Sequence, residues 1–128
     1  WKCFDALHKE KTVDPRHPQV AVSTDGFSVF GQAAAPYSCW PVFVIPLNLP
    51  PPGRIMQRKN IFPTLIIPGP NYLWKNMNVC MKPLKDESQE ARDNGFKTYD
   101  AFSKQSFIMR VWYMYSMHDL PAYALFVG

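Results

Sequence analysis

Three observations in the sequence predict an α/β protein, a mixed sheet with few short helices. Short apolar runs bounded by proline and glycine recur through the first half, a charged stretch ending on a glycine follows, and a long alternating run comes last. With 128 residues there is room for a single domain with one modest core, which we take as residues 1–128. Hydrophobic residues make up 47% of the chain and aromatics 15%, which excludes a disordered, solvating tail. Thirteen prolines and six glycines count against long helices, coiled coils and helical repeats, because proline removes an amide donor and clashes with the preceding turn.

The elements follow in order. Trp1, Phe4 and Leu7 recur at helical spacing, and the basic, proline-containing stretch from Lys11 to Pro18 limits them to a short helix. Val20, Val22 and Thr24 alternate with Ala21 and Ser23, which predicts a strand closed by Asp25 and a turn glycine, Gly26. Ser38 to Pro46 is a continuous apolar run, expected of a buried strand. Asn48 to Gly53 predicts a rigid turn, and Ile61 to Ile67 a third strand, interrupted early by Pro63 and closed by Pro68-Gly69-Pro70. From Val79 to Asn94 the composition predicts a helix, with Gly95 as its C-terminal cap. Cys80, Leu84 and Ala91 share its stripe with Glu87 and Ser88, so its apolar face is thin. Phe107 to Met117 alternates without interruption, which predicts one long strand delivering His118 and Asp119.

Charge and cysteine content narrow the function classes only a little. The formal net charge of +4 favours polyanions weakly. Cys3, Cys39 and Cys80 are widely spaced and form no CxxC pair, so neither a disulfide framework nor a zinc knuckle is indicated, and a reducing intracellular compartment fits. The uncharged stretch from Ala33 to Gly53 is cut by prolines too often to give the roughly 20 residues of a membrane span. The chain opens on Trp1 and stops at Gly128 after an apolar run, so we expect a piece of something longer.

The order strand, strand, strand, helix, strand, with an acidic residue closing the first and last strands, is the layout of a ribonuclease H-like core. It lets two carboxylates distant in sequence sit side by side. Several words go further: Ser23-Thr24-Asp25-Gly26-Phe27, Tyr37-Ser38-Cys39-Trp40-Pro41-Val42, Asn48-Leu49-Pro50-Pro51, Leu65-Ile66-Ile67-Pro68-Gly69-Pro70, Thr98-Tyr99-Asp100-Ala101 and His118-Asp119-Leu120-Pro121-Ala122-Tyr123. In this fixed order they resemble the TNP2-like transposases of the plant En/Spm (CACTA) superfamily, over almost the whole chain.

The resemblance implies the N-terminal part of a DDE-type DNA transposase catalytic domain, which cuts and joins DNA with two divalent ions, Mg²⁺ or Mn²⁺. By motif match, Asp25 is the first catalytic and metal-binding carboxylate and Asp119 the second. The third is expected on a later helix past Gly128, so the chain alone is expected to be inactive. Transposon-end DNA is the implied partner and the nucleus the implied location; oligomeric state is not legible. Two metals roughly 3.5 to 4 Å apart require hard, anionic, rigidly placed oxygens, which strand-end aspartates supply. Two other outcomes remain open: a non-catalytic, transposase-derived nuclear DNA-binding module, and the functionless product of a decayed element.

Each candidate also has a plainer reading. Asp25 before Gly26 suits a turn, where aspartate bonds nearby amides, and Asp119 suits a helix N-cap or turn before Pro121. His118 assists or caps. Asp100 sits in a family word and competes as the second acid. Arg54, Arg58 and Lys59, with Lys97 and Lys104, are candidate phosphate contacts or simply a solvated face. Trp40, Trp74, Trp112 and Tyr113 either stack on bases or fill the core, and the core is expected. The cysteines are read as small buried hydrophobes.

Overall fold

The computed structural model describes residues 6–7, 9, 14–28, 38–49, 57–68 and 73–118. Within the expected N-terminal helix only Ala6, Leu7 and Lys9 are described, and all three are helical. The expected proline turn at 50–53, Gly69, Pro70 and Asp119 lie outside the described residues.

A mixed sheet forms the centre. Strand β1 (Gln19–Thr24) lies antiparallel to β3 (Ser38–Pro46), with Val20 opposite Pro46 and Thr24 opposite Val42. A two-residue strand β2 (Phe27–Ser28) continues along the same side of β3, with Phe27 opposite Cys39. On the other side β3 pairs antiparallel with β4 (Phe62–Pro68), which follows a short 3₁₀ turn at Arg58–Asn60. The outer position of β4 explains how Pro63 is accommodated: a strand bonded on one side only loses nothing when its free edge lacks an amide. Next to Pro63 the register slips, and the Thr64 hydroxyl donates to the Val42 carbonyl at 3.0 Å.

One helix, α1 (Leu73–Asp93), covers the sheet. It is longer than expected, 21 residues starting before Val79, and it carries Pro83 in its interior. Pro83 and Val79, whose carbonyl loses its partner, are both exposed, so water can satisfy the freed group. Cys80, Met81 and Leu84 pack onto a core of Val22, Val42 and Ile67. Glu87 and Lys85 fall outside that stripe and are exposed, while Ser88 is half-buried and donates its hydroxyl to the Leu84 carbonyl at 2.6 Å. The apolar face is therefore fuller than the sequence suggested. Gly95 caps the helix as expected: its φ is +69°, and its amide donates to the Glu90 carbonyl at 3.1 Å.

The single long strand expected over Phe107–Met117 is two strands in two sheets. β5 (Phe96–Asp100) and β6 (Gln105–Met109) form a separate antiparallel hairpin, and β7 (Trp112–His118) joins the main sheet parallel to β1. Three backbone donors redirect the chain between them. Arg110 N–H donates to Nδ1 of His17 at 3.3 Å, Val111 N–H to the Ala91 carbonyl at 3.2 Å, and Trp112 N–H to the Pro18 carbonyl at 2.8 Å. The main sheet thus runs β4-β3-β1-β7, with β2 in line with β1 along the same side of β3.

Candidate active site

The parallel pairing of β1 with β7 decides where the candidate residues fall. The last pair in that register is Thr24 opposite His118. Asp25 is the next residue after Thr24 and Asp119 the next after His118, although Asp119 itself lies outside the described residues.

Pro41 shapes the end of β1. Thr24 pairs with Val42 and Phe27 with Cys39, so Asp25 comes opposite Pro41 and Gly26 opposite Trp40. A strand residue's N–H and C=O point to the same neighbour. Pro41 has no N–H, and its carbonyl accepts the Thr24 hydroxyl at 3.0 Å, so the ladder stops at Asp25 and resumes at Phe27. Gly26 is not the turn glycine expected from the sequence, since its φ is not positive and the chain runs on along β3. Its missing side chain makes room for Trp40: a Cβ there would lie 2.7 Å from two atoms of the indole.

Asp25 is exposed, and among the described residues its carboxylate accepts no hydrogen bond and joins no ion pair. The contrast with two turn aspartates is direct. Asp14 accepts the Arg16 amide at 3.0 Å and the Arg16 guanidinium at 2.6 Å, which holds its pKa down at about 2. Asp100 accepts the Ser103 hydroxyl at 2.7 Å and the Phe102 amide at 3.0 Å, and these bonds lower its pKa. Asp100 is thus bonded into the hairpin turn between β5 and β6, apart from the Thr24–His118 rung of the β1–β7 pair. Asp25 lacks the amide bonds that the turn reading requires.

The basic candidates sit elsewhere. Arg58 and Lys59 are exposed on the 3₁₀ turn that precedes β4, and β4 begins beside Val44, so they lie toward the Gln19 end of β1 and not the Asp25 end. Arg54 is outside the described residues. Cys39 is buried and Cys80 half-buried, both as free thiols, in keeping with the packing role expected of them. Among the described residues no three His, Cys, Asp or Glu side chains converge to hold a metal ion, and no helix is long and apolar enough to cross a membrane. Beside the strand ends, a groove of about 480 Å³ opens between α1 and β7, with Val22, Tyr113, Ser116 and His118 on its sheet side and Lys85 and Arg92 on the helix.

The model of the transposase family tnp2 matches residues 1–128, the whole chain. The chain belongs to the tnp2 transposase family. No curated protein and no solved structure matches it. Within this tnp2 chain, sequence reasoning missed Pro41 and Trp40 as the residues that shape the Asp25 segment. A proline in the middle of an apolar run was the available signal, because it marks where a strand cannot bond to its neighbour.

Proposed function

We propose that this tnp2 chain is part of the ribonuclease H-like catalytic core of a DDE-type cut-and-paste DNA transposase of the plant En/Spm (CACTA) kind, acting on transposon-end DNA in the nucleus. The observation that carries the reading is the Thr24–His118 pair in parallel strands, because the next residue in sequence after each is a candidate carboxylate. The strand order, with a helix in the connection that brings β7 parallel beside β1, also supports a ribonuclease H-like sheet.

The donor chemistry fits Mg²⁺ or Mn²⁺ at Asp25: an exposed carboxylate with no bond to neighbouring amides is a hard oxygen ligand. Asp25 and Asp119 would hold the ions, and the reading requires a third carboxylate from outside the described residues. Bound there, a metal pair supplies activation of the attacking water or 3′-hydroxyl and stabilisation of the leaving oxygen. The chain's own contribution is position. The Thr24 hydroxyl bond to Pro41 fixes the strand end, Trp40 against Gly26 holds the next residue, and the gap in the ladder leaves the Asp25 carboxylate turned to solvent.

In a transposase containing this segment, Asp25→Asn should abolish excision of a reporter element while leaving protein level and DNA binding intact. Excision at the wild-type rate would overturn the reading.

A further inference from the structure

The β5–β6 hairpin leaves the main sheet and presents two different faces. Thr98, Phe107 and Met109 are half-buried on the inner face, where the Arg16 guanidinium lies 4.0 Å from the centre of the Phe107 ring and His17 stacks on the same ring at 6.4 Å. The outer face carries Lys97, Tyr99, Ile108 and Arg110, all exposed. The acid of the hairpin itself, Asp100, bonds to Ser103, the Phe102 amide and Arg16. Lys97, Lys104 and Arg110 have no acidic partner among the described residues.

The tip adds a second, independent feature. Asp100 organises the turn through its bonds to Phe102 N–H and Ser103 Oγ, and this ordered turn holds the Phe102 side chain at 99% exposure. Tyr99 beside it is 61% exposed. Lys104 has φ 55°, a left-handed conformation for which glycine or asparagine is the low-energy choice. The turn therefore displays a bare aromatic ring, with a cation at a backbone position that glycine or asparagine would occupy at lower cost. Cations without acids select a polyanion, and an aromatic ring among them selects a polyanion with faces to stack on.

We propose that the β5–β6 hairpin is a DNA-contacting arm, its outer-face cations on phosphates and Phe102 stacked on an unpaired base. This rests on the DNA transposase reading and names a contact surface for it apart from Asp25. The test is fluorescence anisotropy in EDTA with the full chain and two probes of one sequence, a fully paired duplex and a forked duplex with an unpaired tail.

The wild type should prefer the fork. Phe102→Ala should weaken fork binding by about tenfold and change duplex binding little. Lys97→Gln with Lys104→Gln should weaken both and reduce the slope of log K against log salt by about 1.5. Lys104→Gly relieves the left-handed strain, so it should bind less tightly with no fall in Tm. Equal binding of the two probes by wild type, wild-type affinity in Phe102→Ala or Lys104→Gly, or a role for Phe102 only in self-association each overturns the proposal. The binding assay contains no metal and the arm variants leave Asp25 intact. Mn²⁺ uptake by Phe102→Ala, measured separately, should therefore match wild type, so a failed arm and a failed metal site give different results.

Discussion

Gly26→Ala is the substitution whose cost follows most directly from the geometry. The new Cβ would stand 2.7 Å from Cε2 and Cζ2 of Trp40, about 0.7 Å inside the 3.4 Å at which ordinary contact begins. The indole cannot swing away freely: Trp40 packs against the Val22–Val42–Ile67 core, and its backbone is paired to Ile67. Overpacking of this kind costs about 1 to 3 kcal/mol, offset by about 0.5 to 1 kcal/mol because alanine restricts the unfolded chain. At mid-range values the net loss is about 1 kcal/mol, which in a domain of this size lowers Tm by about 4 °C. Urea and thermal unfolding of Gly26→Ala, Trp40→Leu and the double variant would read both the cost and its cause. If the clash is the cause, the double variant loses less than the sum of the single losses by about 1 kcal/mol. A Gly26→Ala protein as stable as wild type, or strictly additive losses, would refute the reasoning.

Two further outcomes follow from the helix and the first turn. Pro83→Ala restores an amide to the interior of α1 at an exposed position and should raise stability by about 1 to 3 kcal/mol, seen as a higher urea midpoint at unchanged slope; a lower midpoint would contradict a continuous helix through residue 83. Asp14 has a folded pKa of about 2 against 3.8 unperturbed, so its contribution is complete above pH 4 and is lost as pH falls toward 2. Asp14→Asn should flatten that part of the acid unfolding profile, and an unchanged profile would show that the Arg16 pair does not stabilise the fold.

Strands β1, β3 and β4 were legible because each is a short apolar run set off by proline or glycine, and the cap at Gly95 because one residue there must take positive φ. The hairpin was not. Side chains alternate through β6 and on into β7, so a period of two cannot reveal that the chain changes sheets at Arg110-Val111; the cause is three long-range backbone bonds. Nor does Asp100-Ala101-Phe102-Ser103-Lys104 contain the Gly, Asn or Pro that usually marks a turn, since Asp100 organises it through its side chain. Proline counting understated α1 because Pro83 falls on its solvent side. At the site, Asp25 was legible as a strand-end acid, whereas the reason its carboxylate faces solvent, Pro41 across the ladder, depends on a register that no local pattern states.

The proposed metal site pairs Asp25 with Asp119, the residues that follow Thr24 and His118 in sequence. Calorimetric titration of the chain with Mn²⁺, beside Asp25→Asn and Asp119→Asn, tests it most directly. The account predicts weak binding by the wild type that either substitution abolishes, with folding of both variants verified by their melting curves. Equal Mn²⁺ uptake by the wild type and the two variants would contradict it.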